Sequence, residues 1–230
     1  MTDIDKARGY YYEFFAYPLF FHESKEHYSR FLDQARYLAT QPIGEDDAAA
    51  FETILSFDFE AFKREQNDVL FDFSYANIPL TASFYHEGRD NGPKRMAVID
   101  LLKKTPYRRD EEKSHNVPED YLGCIFRFAA TLLEGDRSEI AGELFAGVTN
   151  DFADEFAEML AAHKNAVFFK AYARLFANFI ALERSILGLK APARPEKSVA
   201  KAAMEKKPFQ SKMPTPKSKL FWNESSLAES

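Results

Sequence analysis

The side chains that could do chemistry are few and poorly spaced for it. The 230-residue chain carries no G-x-x-x-x-G-K-[ST] loop, no G-x-G-x-x-G loop and no G-x-S-x-G elbow, so neither phosphate cradle nor serine nucleophile is signalled. His22 and His27 bracket Glu23, Ser24, Lys25 and Glu26. They lie five apart, where a helical zinc pair needs one turn. Of the five histidines only His115 has a glutamate three positions before it, Glu112, and the helical di-iron pattern needs two such pairs, so it is not signalled. The single cysteine, Cys124, adjoins Ile125 on an expected apolar face, so packing is its expected role. One cysteine also excludes an internal disulfide and suits a reducing cytosol. No cofactor is called for, and the chain reads as a non-enzyme. The mixed charge run from Arg108 to Lys113 reads as a solvated loop.

What the chain has in surplus is aromatic rings. Phe, Tyr and Trp make up 15% of residues. Tyr10-Tyr11-Tyr12-Glu13-Phe14-Phe15 is aromatic on every face of a helix, as is Phe71-Asp72-Phe73-Ser74-Tyr75. Such segments are either buried all round or line a groove for an apolar ligand or peptide.

Charge divides the chain. Residues 1–189 hold 21 Lys and Arg against 32 Asp and Glu, whereas 190–230 hold 9 against 4. An acidic body repels nucleic acid and steers toward a basic partner. The N-terminus lacks the basic and apolar regions of a signal peptide, and no apolar run reaches the roughly 18 residues of a membrane span. A cytoplasmic protein without membrane insertion is expected.

The elements that must position these residues are helical. Thirty Ala against 23 Val, Ile and Thr, with nine Gly, favour an all-α bundle-like domain of about eight helices over residues 1–189. A first helix runs from about Asp5 to Tyr17 and stops at Pro18. Ser24 caps a second. A third starts at Asp46-Asp47, with Phe51, Ile54, Leu55, Phe59 and Phe62 on one stripe. A shorter helix after Pro93 carries Met96, Ile99 and Leu102. Leu122, Ile125, Phe126, Ala129, Leu132 and Leu133 form a broad apolar stripe on a helix with Pro118 in its first turn. The last long helix spans about 166–187. Residues 190–230, rich in Pro, Lys and Ser, read as a disordered basic tail; within it, Leu220-Phe221-Trp222 holds the only tryptophan and reads as a tethered anchor for the acidic body or a partner.

Four segments in this order resemble the TorD/DmsD/NarJ family of redox-enzyme maturation chaperones. Arg8, Tyr12, Phe15 and Pro18 are similar to its opening helix. Pro79-Leu80-Thr81-Ala82-Ser83-Phe84-Tyr85 is similar to its Pro-to-Ser-x-Tyr segment. Val117-Pro118-Glu119-Asp120-Tyr121 resembles its E-P-x-D-H signature, with Val117 and Tyr121 in place of Glu and His. Residues 168–187 resemble its aromatic last helix. The resemblance implies a cytosolic, non-catalytic helical protein. Such a protein binds the twin-arginine leader and apo form of a molybdoenzyme catalytic subunit until its cofactor is inserted. It also implies a partner site at Pro118, Glu119, Asp120, Tyr121, Pro79, Ser83, Tyr85 and Tyr12, with Asp120 receiving an arginine and Tyr121 stacking on it. Monomer and domain-swapped dimer both stay open. The competing expectation is an all-α adaptor that binds another basic or apolar peptide.

Overall fold

Helix starts and stops in this chain are written in short-range chemistry, and a computed structural model shows them in use. It describes residues 2–21, 23–72, 77–108, 117–193 and 196–205. Thr2 and Asp5 form a reciprocal capping box at the start of α1 (Asp3–Ala16). Pro18 then turns the chain through a 3₁₀ turn, Tyr17–Leu19. Ser24 accepts from the His27 amide and caps α2 (Lys25–Ala39). Asp58 caps α4 (Phe59–Gln66) through the Ala61 amide. That cap divides the stripe expected from Asp46 onward into α3 (Asp47–Leu55) and α4, because a capped start cannot lie inside a continuous helix.

The second half runs α5 (Ala82–Glu87), α6 (Pro93–Lys103), α7 (Leu122–Glu134), α8 (Ser138–Leu144), α9 (Asn150–Ala162), α10 (Phe168–Leu187) and α11 (Val199–Glu205). Helix α4 continues as a π-helical turn over Asn67–Phe71, and another at Phe145–Thr149 joins α8 to α9. Among the described residues there is no strand, only an isolated bridge between Thr81 and Tyr121. The all-α fold is therefore as expected, cut into more and shorter helices than eight. None of the described helices is long and apolar enough to cross a membrane.

The core is built of rings. Helix α1 lies along α7 and meets α10, so Phe15 sits among Tyr172, Phe176 and Phe179 with ring centres 5.3 Å away. Glu65 at the end of α4 accepts the amides of Val167, Phe168 and Phe169 at 2.8, 3.0 and 2.9 Å, supplying from elsewhere the cap that α10 lacks in its own sequence.

Three expectations need correction. Met96 is 52% exposed, and Val98 and Leu101 are the buried residues of α6. Arg95 pairs with Glu119 and Lys94 with Asp151, which fixes that rotation. Pro118 stands outside α7, which begins only after Tyr121. Within the stretch read as tail, α11 packs on α5 with Ala200 fully buried. Gly88, left-handed at the end of α5 (φ 69°), leaves room for it: a Cβ there would come within 2.9 Å of the Ala203 Cβ. Phe73, Ser74 and Tyr75, most of the 108–113 run, and Leu220-Phe221-Trp222 lie outside the described residues.

Candidate partner-binding site

The residues singled out by the family resemblance fall in two places. Seven of them meet at one junction. Two backbone bonds, from Leu122 N–H to the Leu80 carbonyl (2.8 Å) and from Ala82 N–H to the Asp120 carbonyl (2.9 Å), zip the segment before α5 to the segment before α7. The Asp120 carboxylate then accepts the Ser83 amide at 2.9 Å. Thr81, at the N-cap position of α5, makes no cap bond with its side chain, and its hydroxyl donates to Asp90. Asp120 thus does helix-capping work, but for α5 rather than for the helix it precedes. Tyr85 donates to the Pro79 carbonyl at 2.9 Å and closes the segment on itself. Tyr121 donates to the Leu19 carbonyl and ties the junction to the turn after α1. Glu119 receives Arg95 from α6, and Pro118 accepts the Tyr121 amide.

Burial decides what this junction can do. Asp120 and Ser83 are 0% exposed, and Tyr85 and Tyr121 are 7% exposed. Asp120 Oδ1 and Ser83 Oγ make no hydrogen bond. An arginine from a partner meets the Asp120 carboxylate only if the 117–122 segment moves away. Burial pushes the Tyr121 and Tyr85 phenols well above their ordinary values, so both stay hydroxyl donors. Phe20 packs on Tyr121 (5.4 Å) and over Gly123, where a Cβ would lie 2.6 Å from the ring. The Arg127 guanidinium covers the same ring at 4.3 Å.

Tyr12 lies elsewhere, on the buried side of α1. Its hydroxyl donates to Glu183 at 2.7 Å, and Arg8 grips the same carboxylate with two bonds of 2.6 and 3.0 Å. Burial works against the Arg8 charge, but Glu183 outweighs it and raises the guanidinium above its ordinary value. Burial would likewise raise Asp5; bonds from Thr2 and Arg8 outweigh it and hold that carboxyl low. This network clamps α1 to α10.

That clamp frames a groove that the sequence reading did not place. Between α1, α2 and α10 lies a cavity of about 650 Å³ lined by Asp3, Lys6, Ala7, Tyr10, Tyr11, Tyr37, Leu38, Gln41, Ile43 and Leu182. Tyr37 is 57% exposed and meets Tyr10 edge-on at 5.3 Å. Tyr11 forms the floor, stacked on Phe179. Carboxylates stand near its wall: burial raises the Tyr10 phenol, and Tyr37, Glu13 and Asp33 raise it further. Burial and then Asp47 push Tyr11 up to about 12. The run Tyr10-Tyr11-Tyr12 was the available signal, and both outcomes weighed for it occur, with Tyr12 enclosed and Tyr10 on a groove wall. Tyr37, Ile43 and Leu182 carried no signal, because nothing local marks them as neighbours.

A second, more polar cavity of about 480 Å³ lies between α1, α2 and α7, lined by Glu13, Tyr17, His27, Arg30, Phe31, Gln34, Arg127 and Thr131. Among the described residues no group of three His, Cys, Asp or Glu is placed to hold a metal. Cys124 is half-buried.

A search of curated proteins finds no match to the chain. The family model described as nitrate reductase delta subunit matches residues 48–166, a span holding α3 to α9 and the whole junction of Pro79, Ser83, Tyr85 and Pro118 to Tyr121. With a helical fold and over half its length matched, the chain belongs to the nitrate reductase delta subunit family, the NarJ/TorD-type chaperones of molybdoenzyme maturation.

Proposed function

We propose that this chaperone works in the cytoplasm. It binds the twin-arginine leader of its molybdoenzyme catalytic subunit and holds the apo-subunit back until the cofactor is in place. The observation that carries this reading is the groove between α1, α2 and α10, whose walls are aromatic and apolar with carboxylates close by. A leader of this kind has basic residues followed by an apolar stretch. The apolar stretch suits the walls of Tyr10, Tyr37, Ile43 and Leu182, as an apolar segment suits a hydrophobic groove elsewhere. The guanidinium groups suit two exposed carboxylates, Asp3 in the lining and Asp33, whose charge acts on Tyr10; their present partners, Lys6 and Arg36, are surface pairs that exchange at little cost. The junction at Asp120, Glu119, Pro118, Tyr121, Pro79, Ser83 and Tyr85 supports binding from beneath, by fixing α5 and α7, and Tyr12 does so through the α1–α10 clamp.

The test is affinity capture of the tagged protein from its anaerobically grown host, followed by mass spectrometry. A molybdoenzyme catalytic subunit with its leader uncleaved is the expected catch. Recovery of that subunit only in mature, leader-free form, while precursor is demonstrably present, overturns leader binding.

A further inference from the structure

The groove has a second candidate occupant inside the chain. The described chain ends at Glu205, in α11, which is docked on α5. Beyond it, residues 206–230 hold five Lys against two Glu, and Lys217 and Lys219 lead directly into Leu220-Phe221-Trp222. Basic residues followed by an apolar run is the chemistry that the groove suits, with Tyr37 and Ile43 on its walls, Asp3 in its lining and the Asp33 charge acting on Tyr10.

We propose that Lys217 to Trp222 acts as a built-in pseudo-leader, docking in the groove between α1, α2 and α10 until a client leader displaces it. The inference rests on the proposed leader groove. The 14 residues from 206 to 219 extend up to about 50 Å, a reach that covers much of the surface of a domain about 40 Å across. Helix α11 pins the root of that tether to the body. Its seven residues are too few to hold a helix alone, so their order comes from the contact on α5 through Ala200 and Ala203. Charge favours the encounter, a basic tail meeting an acidic body. Tethering supplies an effective concentration of about millimolar, so a weak motif suffices to keep the groove covered and a tight leader still displaces it.

Trp222 is the only tryptophan, so its fluorescence in the full-length protein reads the docking directly. The probe is a synthetic peptide with two arginines ahead of an apolar stretch and no tryptophan. In the wild-type chain the emission maximum is expected to the blue of its solvated position. Tyr37→Arg, at an exposed position where circular dichroism confirms the fold, moves it to the red, and titrating the peptide into wild type does the same. Calorimetry is expected to show the peptide binding Phe221→Ser about three- to tenfold more tightly than wild type, the relief of a weak tethered competitor. Solvated emission in wild type that Tyr37→Arg leaves unchanged overturns the proposal. A blue shift that grows with protein concentration also overturns it, assigning the tail to a second copy. If Tyr37→Arg releases Trp222 but no peptide binds either chain, the leader reading fails and the docked tail stands. If the peptide binds wild type and Phe221→Ser equally while Trp222 stays solvated, the docked tail fails and the leader reading stands.

Discussion

The junction at Asp120 and the groove at Tyr37 are built on opposite plans. At the junction the polar groups are turned inward: the Asp120 carboxylate caps α5, Tyr85 bonds Pro79, and Tyr121 bonds Leu19. At the groove the rings are turned outward, with Tyr37 more than half exposed and Tyr10 propped against it. The family signature lies at the first, and the accessible apolar surface at the second. A short motif can thus mark the joint that holds two helices in place, while the exposed aromatic groove is assembled from residues scattered over α1, α2 and α10.

That division can be broken by substitution. Glu183→Ala has the largest expected effect, because it leaves the buried Arg8 with Asp5 alone and the buried Tyr12 hydroxyl without its acceptor. A loss of about 3–5 kcal/mol in urea unfolding is expected, with both regions lost together. Asp120→Ala removes the trans cap of α5 and is expected to cost about 1–3 kcal/mol. Asp120→Asn, which keeps an acceptor for the Ser83 amide, recovers most of that. In either Asp120 variant, leader affinity measured on the folded protein stays within about twofold of wild type, a change of about 0.4 kcal/mol. A large loss of affinity at full stability would move the contact surface to the junction. Tyr37→Ala should reverse the pattern, with stability within about 0.5 kcal/mol of wild type and leader affinity down about tenfold by calorimetry, the scale of a moderate aromatic anchor.

The smallest effect is an alkaline one at the groove floor. Tyr11 has its pKa raised to about 12 in the folded chain, above the ordinary phenol value near 10. A raised folded pKa means that its contribution is intact below about pH 10 and is lost as pH climbs from there toward 12. Urea midpoints measured between pH 9 and 11 should therefore fall less steeply for Tyr11→Phe than for wild type, by up to about 1 kcal/mol at pH 11. Equal slopes would show that the floor is already open to water.

Much of the frame was legible in the residues. Ser24 and the acidic start at Asp46-Asp47 announced helix beginnings, and the Leu122-to-Leu133 stripe announced the face that α7 buries. Local signals sufficed there because caps and amphipathic stripes act within one or two turns. The order of the Pro79–Tyr85 and Val117–Tyr121 segments pointed to the family before any fold was known. Their pairing was not legible: a carboxylate beside Pro118 reads as capping its own helix, and only the approach of the 79–83 segment shows that it caps α5. Met96 failed for a related reason, since ion pairs from Arg95 and Lys94 to residues 24 and 57 positions away set the rotation of α6. The groove was the least legible, because Tyr10, Tyr37, Ile43 and Leu182 become neighbours only once Arg8 and Glu183 clamp α1 to α10.

The most direct measurement is hydrogen exchange of the full-length protein, followed by mass spectrometry, with and without a twin-arginine leader peptide. Slowed exchange is expected in peptides covering residues 3–11 and 37–43, with the 79–88 and 117–123 segments unchanged. Slowed exchange confined to 79–88 and 117–123, with the groove peptides unchanged, would contradict that expectation and make the Asp120 junction the contact surface.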